Sequence, residues 1–514
     1  MMNEATKNVY EDIPKEMFEL AQQDETLHDT KLETKARGYF ADALVRFRKN
    51  RASVIGAWII FFLLLFSLLS PILSQYTVRD QDKYYVNYPP YIRSIADKKI
   101  GIFDGAAVHA SQNEAAMAQW KAVAIETGYD PLLKILETTE TVSLYRGKER
   151  ITKTYKIQTN KYYEQGMIFR VFSFQEFEDI QKWQDETGIQ VIYPFVESKD
   201  IKDITSANVW YQVSDNKGTP KYDKEGNFIP AYSTNTAKEG APYHSKRLEN
   251  DPGNWIYSMQ KSGAVQCRVC YYNYYTYVNG HEPMYIMGTN SMGMDLFCAI
   301  GVGSRFSIIF ALLVSVINLT IGAVYGAIQG YYGGAVDMIM DRIADILYEV
   351  PFIVVSTLFQ LHLAPKVGVV PSFLFAFVLT GWIGMAALVR KQFYRFKSQE
   401  FVMAARTLGA SDWRLMFKHI FPNAIGTIIT SCALTIPGVI RSETTLTYLG
   451  IVNIADFAGT SLGTLMSQGQ TSMTSSPHAM FFPAMYFALL LIAFNLFGNG
   501  LRDAFNPSLR GVDD

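Results

Sequence analysis

Few positions in this 514-residue chain carry side chains whose types and spacing could do chemistry. Cys267 and Cys270 form a C-x-x-C, which could close a disulfide, supply half of a metal site or do neither. If CRVCYYNYYTYV is a strand, the two Cα atoms stand about 10 Å apart, too far to bridge, and only a local turn brings them within reach. The tyrosine run at 271–277 reads as a packed or dimer-facing strand rather than a ligand platform. Seven histidines are scattered, no two at metal-ligand spacing with carboxylates, so no metal site is expected. No G-x-x-x-x-G-K-S/T occurs, and the chain therefore lacks the common phosphate cradle for ATP.

Four ionisable residues stand inside or beside apolar runs. Asp345 and Glu349 are one helical turn apart, close to Asp341 and Arg342, while Arg441 and Glu443 flank the end of another run. Charges are costly in lipid and normally face protein or water. These four are expected to pair with one another or with a partner subunit as packing locks, ahead of direct contact with a solute.

The stretch QEFVMAARTLGASDWRLMFKHIFPNA, 399–424, is basic and amphipathic between two apolar runs. Helical spacing puts Phe401, Ala404, Ala405 and Leu408 on one face and Glu400, Met403, Arg406 and Thr407 on the other. Gly409 ends that helix, because only glycine takes the left-handed C′ conformation without a Cβ penalty. Ser411 can cap a second helix in which Trp413, Met416, Phe417 and Ile420 line one face before Pro422 marks the entry to the next span. A rigid helix–turn–helix along the inner membrane surface is expected. Composition alone favours an ordinary interfacial loop with its apolar face on lipid and its basic face satisfying topology; the spacing is what points elsewhere.

The elements that must position these residues follow from composition. Apolar residues make up 49% of the chain and the net charge is −1, which makes nucleic acid a poor partner. The apolar residues gather in runs of about 20, the length that crosses a hydrocarbon core. The first run, 54–72, follows a polar leader too long for a signal-peptide n-region and should remain as a span. Arg46, Arg48, Lys49 and Arg51 before it place the N-terminus in the cytoplasm. Tyr39, Phe40, Ala43, Leu44 and Phe47 share a face, so a short helix should lie along the inner membrane surface. Five more spans are expected near 304–328, 336–362, 369–393, 419–445 and 479–500. Arg390, Lys391, Arg395, Lys397, Arg406, Arg414 and Lys418 put the 394–418 loop on the cytoplasmic side, as does counting spans.

The expected fold class is an all-α polytopic membrane domain of six helices with an inserted extracellular α+β domain. Its parts are a cytoplasmic tail at 1–52, a first transmembrane helix at 53–75, the insert at 76–295 and a five-helix core at 296–514. Within the insert, 113–127 and 174–186 look helical. TVSLY, ERITKTYKI, MIFRVF, QVIYPFV and NVWYQV read as strands, and SDNKGTP, DKEGN and ENDPGN as turns.

The loop spacing resembles that of the inner-membrane permease subunits of ABC importers, which carry an E-A-A-x3-G-x9-I-x-L-P pattern there. Met403-Ala404-Ala405, Gly409 and Pro422 occupy the corresponding positions. The likeness extends to the C-type permease of the oligopeptide and dipeptide branch through FRKNRASVIGAW, HEPMYIMGTNSMGMD at 281–295, GYYGGAVDMIMDRIADILYEVP at 330–351 and GWIGMAALVRKQ at 381–392. SETTLTYLG at 442–450 and FNLFGNGLRDAFNPSLRG at 494–511 continue it. It covers nearly the whole membrane part in order and leaves out the insert. Three departures stand out. Met403 replaces the motif glutamate, Asn290 and Met294 replace an acidic and a basic residue, and the loop between the first two spans is far longer than the branch usually has. Asp345 and Glu443 match the family pattern; Glu349 does not.

The resemblance implies a type I ABC importer permease fold in a bacterial plasma (inner) membrane, multi-pass, with both termini cytoplasmic. It implies a non-catalytic transport subunit with no cofactor of its own, ATP and Mg being bound by partners. Those partners are a second homologous permease, two ATPase subunits, an extracellular solute-binding protein and a peptide substrate. Phe401, Met403, Ala404, Ala405, Leu408, Gly409 and Pro422 then belong to a coupling segment seated in an ATPase groove, with the face that meets the ATPase left open. Two other classes compete: a membrane-anchored sensor, which would need a cytoplasmic signalling domain, and a secondary transporter, which would ordinarily show internal repeats with broken helices.

Overall fold

A long apolar run has only its own backbone to satisfy its amides in hydrocarbon, so it forms a helix. The computed structural model describes residues 39–98, 101–145, 148–196, 206–231, 257–259 and 262–505. Among them are five helices long and apolar enough to cross a membrane, or six if one bent pair is counted as a span. The tail before residue 39, the turn ENDPGN and the last nine residues lie outside the described set.

Helix α1 (Tyr39–Lys49) leads into α2 (Arg51–Leu73), whose first turn is capped by the side chain of Asn50. Part of the face of α1 that was expected to rest on the membrane surface packs on protein instead. Ala43 is buried, and the Phe47 ring meets Phe497 of the last helix edge-on at 5.4 Å.

After α2 the pattern shifts from apolar runs to alternation and turns, and strands appear. In chain order come β1 (Ala106–Gln112), α3 (Glu114–Thr127), β2 (Leu132–Tyr145), β3 (Lys148–Asn160), β4 (Met167–Phe172) and α4 (Phe174–Thr187). β5 (Ile192–Tyr193), β6 (Tyr257–Met259), β7 (Val265–Cys270) and α5 (Tyr271–Asn279) follow. One antiparallel sheet has the order β1-β3-β2; in the other β7 is central, with β4 on one side and β5 and β6 pairing along the other. Asn113 caps α3, and a Ser173/Glu176 capping box starts α4, so both expected helices are present.

Two expectations for this region fail. NVWYQV forms only isolated bridges at Tyr211 and Val213, within a small apolar cluster of Trp210, Tyr211 and Phe228. The tyrosine run is helix α5, not a strand. Tyr271, Tyr272 and Tyr275 recur at helical spacing, which delivers them together to a buried tyrosine core with Tyr85, Tyr88, Tyr162 and Tyr285. Cys267 and Cys270 lie on β7, buried and unbonded.

Burial pushes the Cys267 thiol up to about 12 and the Cys270 thiol up to about 11. Both are therefore neutral at pH 8, and the thiolate is the nucleophile. Neither should be alkylated by iodoacetamide in the folded protein; peptide mapping before and after unfolding checks this, and rapid labelling of the native protein would contradict the burial.

Among the described residues the remaining helices of eight residues or more are α6 (Leu296–Tyr332), α7 (Gly334–Tyr348), α8 (Phe352–His362), α9 (Val369–Phe396), α10 (Glu400–Thr407), α11 (Asp412–Tyr448), α12 (Leu462–Thr471) and α13 (His478–Phe505). The straight span expected over 336–362 is instead the pair α7 and α8, bent by 72°. Pro351 explains the break, since it lacks an N–H and disfavours helical backbone at Val350. Small residues set the close packing of α6 on α9. A Cβ at Gly330 would lie 2.7 Å from the Arg390 carbonyl oxygen, so glycine is what lets these backbones approach.

Candidate functional site

At the end of the bundle away from the strands, α10 leaves the spans and turns back. Gly409 has φ +83°, its N–H donates to the Arg406 carbonyl at 3.0 Å, and the Ala410 N–H donates to the Ala405 carbonyl at 3.1 Å. That pair of bonds is the Schellman arrangement, and it needs the left-handed residue that glycine supplies.

Sequence spacing assigned the faces of α10 only in part. Val402, not singled out by spacing, is its buried anchor, packed in a cluster with Phe393, Leu415, Met416 and Ile420, with Ala405 beside it. Phe401, Met403, Ala404 and Leu408 all point outward, Leu408 being 88% exposed. The two faces expected to oppose each other thus merge into one outward apolar surface. Val402 could have been found by asking which residue the helix needs to hold itself down, since an exposed apolar face cannot do so.

A separate second helix ahead of Pro422 is absent. Helix α11 runs unbroken from Asp412, through a π-turn at Leu415–Ile420, past Pro422 to Tyr448. The wider turn lets the Phe421 N–H reach the Met416 carbonyl just before the proline, which has no N–H to offer. It also rotates the expected face. Met416 and Ile420 point inward, whereas Trp413 is exposed and packs on Phe417, the ring centroids 4.2 Å apart and the planes tilted by 43°. Tyr331, at the end of α6, ties the two arms together: its hydroxyl donates to Asp412 Oδ1 at 2.5 Å and accepts from Arg406 at 3.3 Å.

Of the four ionisable candidates, the structure buries one. Asp345 makes an exposed pair with Arg342 at 3.2 Å, and Glu349 is exposed. The ion cluster that joins the helices lies one turn earlier. Arg390 of α9 meets Asp337 and Asp341 of α7, each at 2.7 Å, and the Tyr394 hydroxyl also donates to Asp337. Asp337 and Asp341 at i, i+4 were legible as one helical face; Arg390 had been counted only as a topology charge. Glu443 is fully buried at the other end of the bundle. It accepts from Ser307 Oγ at 2.7 Å, Thr444 Oγ1 at 3.2 Å and Thr447 Oγ1 at 3.4 Å, rather than pairing with the exposed Arg441. Asn290 and Met294 are uncharged, and Asn290 makes neutral hydrogen bonds. Asn290 Oδ1 accepts the Met292 and Met294 N–H groups, and its amide nitrogen donates to Gln468 at 2.9 Å.

A bundle of apolar helices carrying such a turned-out segment defines a polytopic membrane protein of the transport-permease class. Residues 319–511 match the model of the binding-protein-dependent transport system inner membrane component, and residues 38–90 that of the N-terminal transmembrane domain of oligopeptide transport permease C. Residues 91–318 lie outside both matches. The chain is 42% identical over 223 residues to the oligopeptide transport system permease protein OppC of Bacillus subtilis, covering 43% of this chain and 72% of that one. It is 38% identical over 224 residues to the dipeptide transport system permease protein DppC of the same organism, covering 43% and 68%. A chain of the MetNI methionine ABC transporter aligns with 40% of this chain and 96% of its own length at 13% identity, with a TM-score of 0.33, too low to carry a fold assignment. The protein belongs to the oligopeptide and dipeptide permease family of binding-protein-dependent ABC importers.

Proposed function

We propose that this chain forms half of the translocation pathway of an ATP-driven importer of oligopeptides or dipeptides, and that α10 receives the driving motion from an ATPase subunit. The outward apolar surface of α10 carries the reading. Phe401, Met403, Ala404 and Leu408 stand at the end of the bundle away from the strands, braced from behind by Val402 and fixed in angle by the Gly409 turn. A short helix presented this way suits a helix-in-groove contact, and the Met403 thioether in place of a glutamate favours an apolar groove wall. ATP and Mg are bound by the partner subunits, two ATPases working with a second homologous permease. Both termini and α10 face the cytoplasm, consistent with the basic residues at 46–51 and 390–418. The domain between α2 and α6 lies outside, where it orients an extracellular solute-binding protein.

Mild-detergent purification of the tagged chain should bring down a homologous permease and ATPase subunits. Leu408→Asp should lose the ATPases and keep the permease; retention of both would remove α10 from the contact. Deleting residues 100–270 should lower uptake at limiting binding-protein concentration, and unchanged uptake and affinity would refute the role given to the outer domain.

A further inference from the structure

Helix α7 is jointed at both ends. Gly333 and Gly334 stand at its start with φ +67° and +56°, and Pro351 breaks the chain after it, so its hold on the bundle comes through side chains. Little of that hold is apolar. Asp337 and Ala344 are its buried residues, while Val336, Met338, Ile339, Ile343 and Ile346 are 42–70% exposed. Lipid gives apolar helix faces no hydrophobic drive to associate, so polar contacts carry a larger share of the attachment than they would in water. Tyr325 and Gln329 of α6 donate to the Met340 carbonyl at 2.7 Å and to Asp341 Oδ1 at 3.1 Å. From α9, Arg390 reaches Asp341 through Nη1 and Asp337 through Nη2, and the Tyr394 hydroxyl also donates to Asp337. Two carboxylates one turn apart on the fork of one planar group fix both the height of α7 and its rotation about its own axis.

The same two turns of α9 hold α10. Val389 and Phe393, at i and i+4, are fully buried in the cluster that contains Val402, while Arg390 and Tyr394, each one residue further on, face α7. We propose that Arg390 is a positioning residue for transport: its clasp makes α7 move as one body with α9 and α10. A displacement of α10 presses through Val402 on Val389 and Phe393 and reaches α7 from the other side of the same turns. Beyond Pro351 it continues to Phe352 of α8, which meets Phe377 of α9 edge-on at 4.7 Å. The Gly409 turn links α10 to α11, and Arg390 supplies a second route, to the bent span. Without the fork, Ala344 still packs with Trp382 and Ala386, but one apolar contact leaves α7 free to pivot about its joints. The fork requires arginine, because lysine is a point charge on a flexible stem and holds one carboxylate at a time.

This inference rests on α10 receiving the driving motion, and the experiment separates the two. Spin labels at Met338 of α7 and Lys391 of α9, both exposed, report the separation of the two helices by pulsed EPR. They are placed in the complete transporter, reconstituted in liposomes with label-free partner subunits and with Cys432→Ser, and trialanine uptake and ATP hydrolysis are measured on the same preparation. The parent should show one narrow distance, the same without nucleotide and with ATP and vanadate. Arg390→Lys should broaden it and lower uptake about tenfold, within the range of a lost coupling between sites, at the parental rate of ATP hydrolysis. Should that variant fail to assemble, Asp337→Asn/Asp341→Asn/Arg390→Met, which strands no charge, takes its place. Broadening without loss of uptake, the reverse, no change in either, hydrolysis lost together with uptake, or a parent distance that shifts with nucleotide would overturn the clasp and leave the importer reading intact. No ATP-driven uptake of trialanine by the parent would overturn the importer reading and this inference with it.

Discussion

Arg268→Met is expected to unfold the domain between α2 and α6 while leaving the membrane helices assembled. Arg268 is among the largest fully buried side chains of the described residues and sits on β7, the central strand of its sheet. Its guanidinium forms a two-pronged pair with Glu126 of α3, at 2.9 and 2.7 Å, with the two side chains 0% and 5% exposed. It also donates to the carbonyls of Ala207 at 2.9 Å and Pro194 at 2.8 Å, so one side chain ties the strand, α3 and two loops together. Removing one member of a buried pair strands the other charge without water and costs about 3–5 kcal/mol, a large share of a domain's stability. Methionine fills the volume and isolates the electrostatic part. Limited proteolysis of the purified protein should then cut within 106–270 at temperatures where the parent resists, with α6 to α13 still protected. The double variant Arg268→Met/Glu126→Leu should recover part of the loss, since no charge remains buried. Equal resistance in the single variant and the parent would show that the pair contributes little.

Much of the membrane part was legible because one physical requirement, internal satisfaction of backbone amides in lipid, acts on each run by itself. The runs at 54–72, 304–328, 419–445 and 479–500 lie within α2, α6, α11 and α13. The bend at Pro351 was also local, yet hydropathy averages over it and hides the break. What stayed hidden depends on partners distant in the chain. Whether YYNYYTYV lies as a strand or a helix is settled by Tyr85, which meets Tyr271 and Tyr275, and by Tyr163, which meets Tyr272; both sit far away in sequence. Arg390 looked like a topology charge until the close α6–α9 contact and the position of α7 brought Asp337 and Asp341 to it. On α10, periodicity found an amphipathic helix and its glycine stop but not which side faces inward. Val402 decides that through Leu415 and Met416, at the start of the next helix.

Gly409→Val should abolish uptake while leaving the complex assembled and ATP hydrolysis running. A Cβ at Gly409 would meet nothing within 4 Å, so the substitution creates no clash, and its whole effect is conformational. A β-branched residue at φ +83° carries strain on the order of 1–3 kcal/mol. The chain can relieve it only by moving φ negative, which breaks the bonds from Gly409 to Arg406 and from Ala410 to Ala405. Helix α10 then swings on a loosened joint, still tethered by Val402 and by the Arg406 contact to Tyr331. Its outward face remains able to bind, but displacement of α10 no longer transmits to α11 as a rigid-body movement. Gly409→Asn is the informative control, because asparagine tolerates the left-handed region several-fold better than other residues. Asparagine should retain most uptake, valine almost none, at similar rates of ATP hydrolysis. Uptake that survives valine would mean the joint need not be stiff; hydrolysis lost together with uptake would mean the turn serves docking rather than transmission.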